Sequence, residues 1–456
     1  MEVVKVLRHF RLDSDGYSVG NGTDSRIPDG KVKSIVELPS IYFDVEKKAQ
    51  AMTKISEKLF VDDADRKEFR GAQEWISACA TQVSLPINFC GGIFIVRLCR
   101  QLLPSEYQTD EWAAAVHSLA ASYDFAFLAL SHADDESDLT LERNGLSTRW
   151  RTHPQTRAVD GINLLLAGIT ATQETLNEWP ELPSKHQPRD KRVVEELLRA
   201  LREASFPTLL DRTGLGYVHS VSGEDRHIEL KIDGASLTNV AQYARHRAHT
   251  YFLRALWIAV LATGYDTIDA ELENLLERLF ELLASIGAAS DDLQDAFVDL
   301  SARTHSIVSV MAHLCVAEDQ NLRPLFRQEI DEPELCDQRK VLSELWGAPS
   351  DESNKQKAVE FFEAVGLRKA LYQHYEPQCI EFASCMYKAV KRYGFSVELI
   401  SELGAYVCQD EKFSIPSRYI TMLESLDDKA IVNWANAEIG KYIAGYFIDR
   451  FLSKLN

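Results

Sequence analysis

From Tyr42 almost to the end of the chain, apolar residues recur every three or four positions, the spacing that lines one face of an α-helix. The pattern is clear over residues 112–133, 159–176, 193–204, 237–263 and 270–300, and again over 355–372, 377–393 and 429–455. Alternating strand patterns are nearly absent, and 216–232 is the one stretch that reads as a short hairpin. Residues 122–130 and 251–262 are apolar nearly all round, which belongs at the centre of a helical bundle and not on its surface. The expected fold class is therefore all-α.

The ends of the chain read differently. Residues 1–40 are rich in Gly, Asp, Ser and Pro and read as a strand-like or loose lead-in. Residues 409–456 form a C-terminal helical extension, with an apolar stripe of Ile431, Trp434, Ile439, Tyr442, Ile443, Phe447 and Phe451. Its place, capping the bundle or meeting a second subunit, is open. Two proline-bearing loops, 179–190 and the stretch around Pro324 and Pro333, interrupt the helices without resembling flexible linkers. No internal repeat is present, so 456 residues are expected to form one large helical domain.

Composition narrows the partners. Hydrophobic residues make up 45% of the chain, enough for a substantial core. Fifty Lys and Arg stand against 69 Asp and Glu, so the formal charge is 50 − 69 = −19. That balance argues against a general nucleic-acid binder, which needs a basic face, and against electrostatic docking on anionic membranes. The apolar stretch 255–265 is too short to span a bilayer, and residues 1–10 lack a signal-peptide core. Eight cysteines without a Cys-x-x-Cys pair point to a reducing, cytoplasmic setting without structural zinc. Any anionic ligand must be met by a local basic patch or by bound cations.

Two segments bear directly on that requirement. Asp134-Asp135-Glu136-Ser137-Asp138 and Asp291-Asp292-Leu293-Gln294-Asp295 both read Asp-Asp-x-x-Asp, and each follows an apolar helical run. Residues four apart share a helix face, so Asp134 projects with Asp138, and Asp291 with Asp295. One such cluster would be an ordinary solvated helix end. Two copies, each closing a buried helix, suit hard divalent cations such as Mg²⁺, which take a few carboxylates plus water and phosphate oxygens.

The first segment continues through Leu139 to Gly145, with Arg143 and Asn144, and is followed by Asp160-Gly161-Ile162-Asn163. It resembles the first aspartate-rich motif of the isoprenyl diphosphate synthases, particularly the farnesyl diphosphate synthase branch, and Asp291 to Asp295 resembles the second. The stretch 345–393, including Phe361-Phe362-Glu363-Ala364-Val365-Gly366 and Tyr372-Gln373-His374-Tyr375-Glu376, is similar to the C-terminal helices of that branch. The resemblance covers residues 41–408. It implies an isoprenoid-synthase helical bundle around a deep apolar cavity, two or three Mg²⁺ ions on the six motif aspartates, an allylic prenyl diphosphate substrate and a homodimer.

Departures from the family's pattern sharpen the expectation. The family's early Gly-Gly-Lys…Arg segment, which holds a second diphosphate, is here Cys90-Gly91-Gly92-Ile93-Phe94-Ile95-Val96, with Ile93 and Val96 in the basic positions. Arg143 is followed by Asn144 instead of a second arginine, and 405–410 carries no basic tail. Charge-assisted bonds to phosphate are the strong ones, so three neutral replacements weaken a second diphosphate site severely. The allylic site keeps its aspartates and Arg143, and the family's mid-chain lysine falls within Arg245-His246-Arg247, with His246 or a neighbouring arginine in its place. Bulky floor residues become Ala129 and Leu130, with Phe125 and Phe127 deeper, which suits farnesyl or longer chains.

These readings combine into a class I terpene synthase that ionises farnesyl diphosphate and cyclises it to a sesquiterpene. Phe125, Phe127, Tyr251, Phe252 and Trp257 are candidates to face the carbocation, with core packing as the plainer role for each. A chain-elongating synthase using Arg97, Arg100 or Lys231 for the second diphosphate is the alternative, as is a non-catalytic partner subunit of one.

Overall fold

The computed structural model describes residues 90–137, 142–143, 146–148, 157–213, 249–303, 306–395, 403–404, 407, 415–416 and 429–453. The lead-in 1–40 and the hairpin expected at 216–232 lie outside them. The described residues are helical apart from short turns and one hairpin of two-residue strands, β1 (Glu142–Arg143) and β2 (Leu146–Ser147), in which Arg143 pairs with Leu146. The chain divides into two compact units, one of residues 1–205 and 251–268, the other of 206–250 and 269–456.

The first unit holds α1 (Cys90–Leu102), α2 (Asp110–Ser137), α3 (Arg157–Asn177) and most of α4 (Asp190–Thr213) and α5 (His249–Ala262). By length and composition α2 could cross a membrane, but the residues that make it so apolar are packed inside the protein. Ala120, Ala121, Phe125 and Ala126 have no exposed surface, as expected for a helix apolar all round. It packs on α1 and α3; Gly168 of α3 permits the close approach, since a Cβ there would lie 2.6 Å from the Ala126 methyl. Arg254 of α5 ties itself to α4 by ion pairs of 3.0 Å with both Glu196 and Glu203, which stand one heptad apart.

The second unit is built on α6 (Ala270–Ala302), followed by α7 (Ile307–Cys315), α8 (Glu332–Leu345), α9 (Glu352–Ala364), α10 (Leu367–Tyr393) and α11 (Lys429–Ser453). The Asp269 side chain caps α6 by accepting from the Glu271 and Leu272 amides at 3.0 Å, and Glu271 and Glu273 complement the helix dipole. The α6 helix packs along α10, and α11 packs on α10 in turn. Gly440 is what lets α11 in, since a Cβ there would sit 2.5 Å from the Ile380 backbone.

Two boundaries differ from those read in the sequence. The break between α9 and α10 falls at Gly366, where φ is 68° and a left-handed residue stops the helix. Pro377, read as a helix start, lies inside α10. Its ring removes one backbone bond, and burial of the helix against α6 and α11 sustains the rest.

Candidate active site

The first aspartate segment ends α2. Asp134 and Asp135 fall in its last turn by backbone; their side chains, all of Asp138, and Arg245, His246 and Arg247 lie outside what the structure describes. Arg143 is placed by the hairpin pairing alone. His132, two residues before Asp134, is buried.

Deeper in α2 stands a carboxylate whose role the sequence did not reveal. Asp124 is fully buried; its Oδ1 accepts from the Gly92 amide at 2.9 Å and from the Tyr251 hydroxyl at 2.6 Å. The Gly91 amide donates to the same Tyr251 oxygen at 2.8 Å, and the Tyr123 hydroxyl donates to the Tyr251 carbonyl at 2.5 Å. The first turn of α1 is thereby satisfied from inside the protein. Neither glycine has room for a Cβ, which at Gly92 would lie 2.3 Å from Asp124 Oδ2. A lone acid in an otherwise apolar run was the visible signal, because a buried carboxylate needs donors.

Around this lock the candidate aromatic residues separate. Phe127 and Tyr251 are each 8% exposed, with ring centroids 4.8 Å apart, and Tyr251 stacks on Tyr123 at 5.4 Å. Phe125 and Phe252 have no exposure, and Phe252 meets Tyr251 and Phe94 edge-on, which is core packing. Leu130 and Trp257 are half-buried, and Ala129 is buried. Ile93 and Val96 point into the core of the first unit at 4% and 1% exposure, whereas Arg97 and Arg100 of the same helix are half-buried.

The second aspartate segment lies within α6, where 100° per residue divides it. Asp291 and Asp295 are exposed, while Asp292 is half-buried and its Oδ2 accepts from the Ile307 amide at 2.6 Å, closing the turn into α7. Burial, then the neighbouring Asp299 charge, then Asp291 and Asp295, push the Asp292 carboxyl well above its usual range; the Ile307 bond pulls the other way. Asp299 was missed in the sequence, although it continues the Asp291–Asp295 stripe by one further turn. Ser290 is buried.

This crowding of hard oxygen donors suits a divalent cation. Among the described residues no group of three or more His, Cys, Asp or Glu side chains converges to enclose one. A cation held here would complete its shell with water and phosphate oxygens, the habit of Mg²⁺. The buried cations of the second unit are committed elsewhere. Arg323 donates to the Ala317 and Glu318 carbonyls at 2.6 and 2.8 Å, and Arg327 to the Cys315 and Ala364 carbonyls at 3.3 Å, where they hold the end of α7.

The fold is that of the isoprenyl diphosphate synthases. The crystal structure of T. brucei farnesyl diphosphate synthase superposes with a TM-score of 0.60 and 14% identity, over 81% of this chain and 100% of that one. The same enzyme complexed with the bisphosphonate BPH-722 gives 0.61 and 14% over 80% and 99%. A further bisphosphonate complex of it gives 0.60 and 16% over 82% and 99%. No protein-family description and no curated protein matches the sequence.

Proposed function

We propose that this protein is a class I terpene synthase that ionises an allylic prenyl diphosphate, farnesyl diphosphate first among candidates, and cyclises it. The observation that carries the reading is the burial of Ile93 and Val96, the positions where the resembling family places its second-diphosphate cations. Apolar side chains packed in a core contribute no charge to a second anion, so one diphosphate is bound. The C–O bond breaks with its electron pair leaving on the diphosphate, a double bond of the same chain attacks the allylic cation, and loss of a proton ends the reaction.

Asp134, Asp135 and Asp138 would hold Mg²⁺, as would Asp291 and Asp295, which Asp292 supports from the α6–α7 turn. Bound there, Mg²⁺ supplies Lewis-acid stabilisation of the departing diphosphate. Arg143 and the 245–247 run bind the same group. Phe127 and Tyr251 exclude water and present ring faces to positive charge. An exposed pair one turn apart on α3, Ile162 and Leu166 at 59% and 56%, supports the homodimer.

Chain elongation is the second reading, favoured by a fold match to a farnesyl diphosphate synthase over 81% of this chain and by the half-buried Arg97 and Arg100 on α1. Purified protein with farnesyl diphosphate and Mg²⁺, with and without isopentenyl diphosphate, separates the two. Hydrocarbon in both arms is expected; a longer diphosphate formed only with isopentenyl diphosphate would overturn the cyclase reading.

A further inference from the structure

The seam between α6 and α10 is a polar ladder. Glu271 pairs with Arg392, Arg278 with Glu381 at 2.7 Å, and the Ser285 hydroxyl donates to Gln378 at 2.8 Å. The α6 members stand seven residues apart, two turns of helix, so each faces α10. The next position in that series is Asp292. Because α10 runs antiparallel, its residues 371–375 come opposite. The buried polar side chain among them is Tyr375, whose hydroxyl has no hydrogen-bond partner among the described residues. Burial, then the Asp292 charge, hold that phenol well above its usual range. Behind the ring, Phe447 of α11 packs edge-on with centroids 6.0 Å apart, and Asp449 anchors α11 to Arg368 of α10 at 2.5 Å.

We propose that Asp292 and Tyr375 form the fourth rung of this ladder, joined through one trapped water, with Phe447 bracing the ring. Tyr375 is then a positioning residue. A buried hydroxyl left unpaired is costly, and the Asp292 carboxyl has acceptor sites beyond the one taken by Ile307. Bonding the two fixes the rotation of α6, and with it the outward presentation of Asp291 and Asp295. The C-terminal helix α11 acquires a function by the same step, since it holds the ring in place. The positioning role rests on the reading that these two carboxylates hold the cation.

Tyr375→Phe removes one oxygen and keeps the packing. In the full chain, Tyr375→Phe, Asp292→Asn and the double variant are compared by urea unfolding without metal. Mn²⁺ binding is followed by electron paramagnetic resonance with inorganic diphosphate present. The double variant is expected to unfold no more easily than Asp292→Asn alone. Mn²⁺ affinity should fall roughly tenfold in Tyr375→Phe, less in Phe447→Leu, and no further when Tyr375→Phe is added to Asp292→Asn. Additive unfolding shifts would overturn the rung. Unchanged Mn²⁺ affinity in Tyr375→Phe, or a wild-type chain that binds no Mn²⁺, would overturn the positioning role. A chain that behaves as expected in both assays yet turns over no prenyl diphosphate would overturn the functional reading and leave the rung standing.

Discussion

Asp124 in α2 and Asp292 in α6 are both aspartates drawn out of water on long apolar helices, and they are held in opposite ways. Asp124 meets two donors, the Gly92 amide and the Tyr251 hydroxyl, in a fully buried cradle. Asp292 has one backbone donor and three acidic neighbours on its own helix whose charges oppose its ionisation. A carboxylate surrounded by donors stabilises a fold, whereas one surrounded by carboxylates stores repulsion that a cation can release. The first is architecture, and the second suits the proposed cation site.

The largest test of this contrast is Asp124→Ala, which leaves the Gly92 amide and Tyr251 hydroxyl buried without their acceptor. It should cost about 3–5 kcal/mol in urea unfolding, and Asp124→Asn considerably less. By contrast, Asp291→Ala should leave the unfolding midpoint within error or raise it, while lowering turnover of farnesyl diphosphate on the order of a thousandfold. Equal stability losses in the two alanine variants would erase the distinction.

Gly92→Ala probes the cradle from the other side. The added methyl would lie 2.3 Å from Asp124 Oδ2 and 2.7 Å from the Ala120 carbonyl, so a loss of roughly 1–3 kcal/mol is expected from the same unfolding measurement. The smallest effect is electrostatic. Because the folded-state pKa of Asp292 is raised, the folded protein holds that proton more tightly than the unfolded chain. Stability from this group is full below the unfolded carboxylate pKa near 3.9, falls as pH rises toward the folded value, and stays reduced above it. Asp299→Asn removes one of the opposing charges and should raise metal-free stability at pH 7 by under about 1 kcal/mol, with a flatter pH profile. A profile as steep as that of the wild type would show that Asp299 does not act on Asp292.

Much of this was legible in the residues. The helical period located α2, α6 and the C-terminal helix, and the all-round apolar character of 122–130 and 251–262 marked α2 and α5 as core. The i, i+4 rule placed Asp291 and Asp295 together on an exposed face. The same periodicity concealed the role of Asp292, because a backbone partner fifteen residues ahead depends on where the chain turns after Ala302. It also put helix boundaries on the wrong side of Gly366 and Pro377, since periodicity carries through a single left-handed glycine and cannot foresee that packing will sustain a proline-bearing helix.

The sequence by itself determined the class of fold, the acidic motifs and the apolar character of positions 93 and 96, because each is a local property of composition and spacing. Tertiary structure alone decided which aspartate meets donors and which meets its own kind. It also paired Tyr251 with Asp124, 127 positions away, and laid α11 against α10. The physical reason is that burial and partner geometry belong to pairs of helices, and a single helix contains only its own half of each pair.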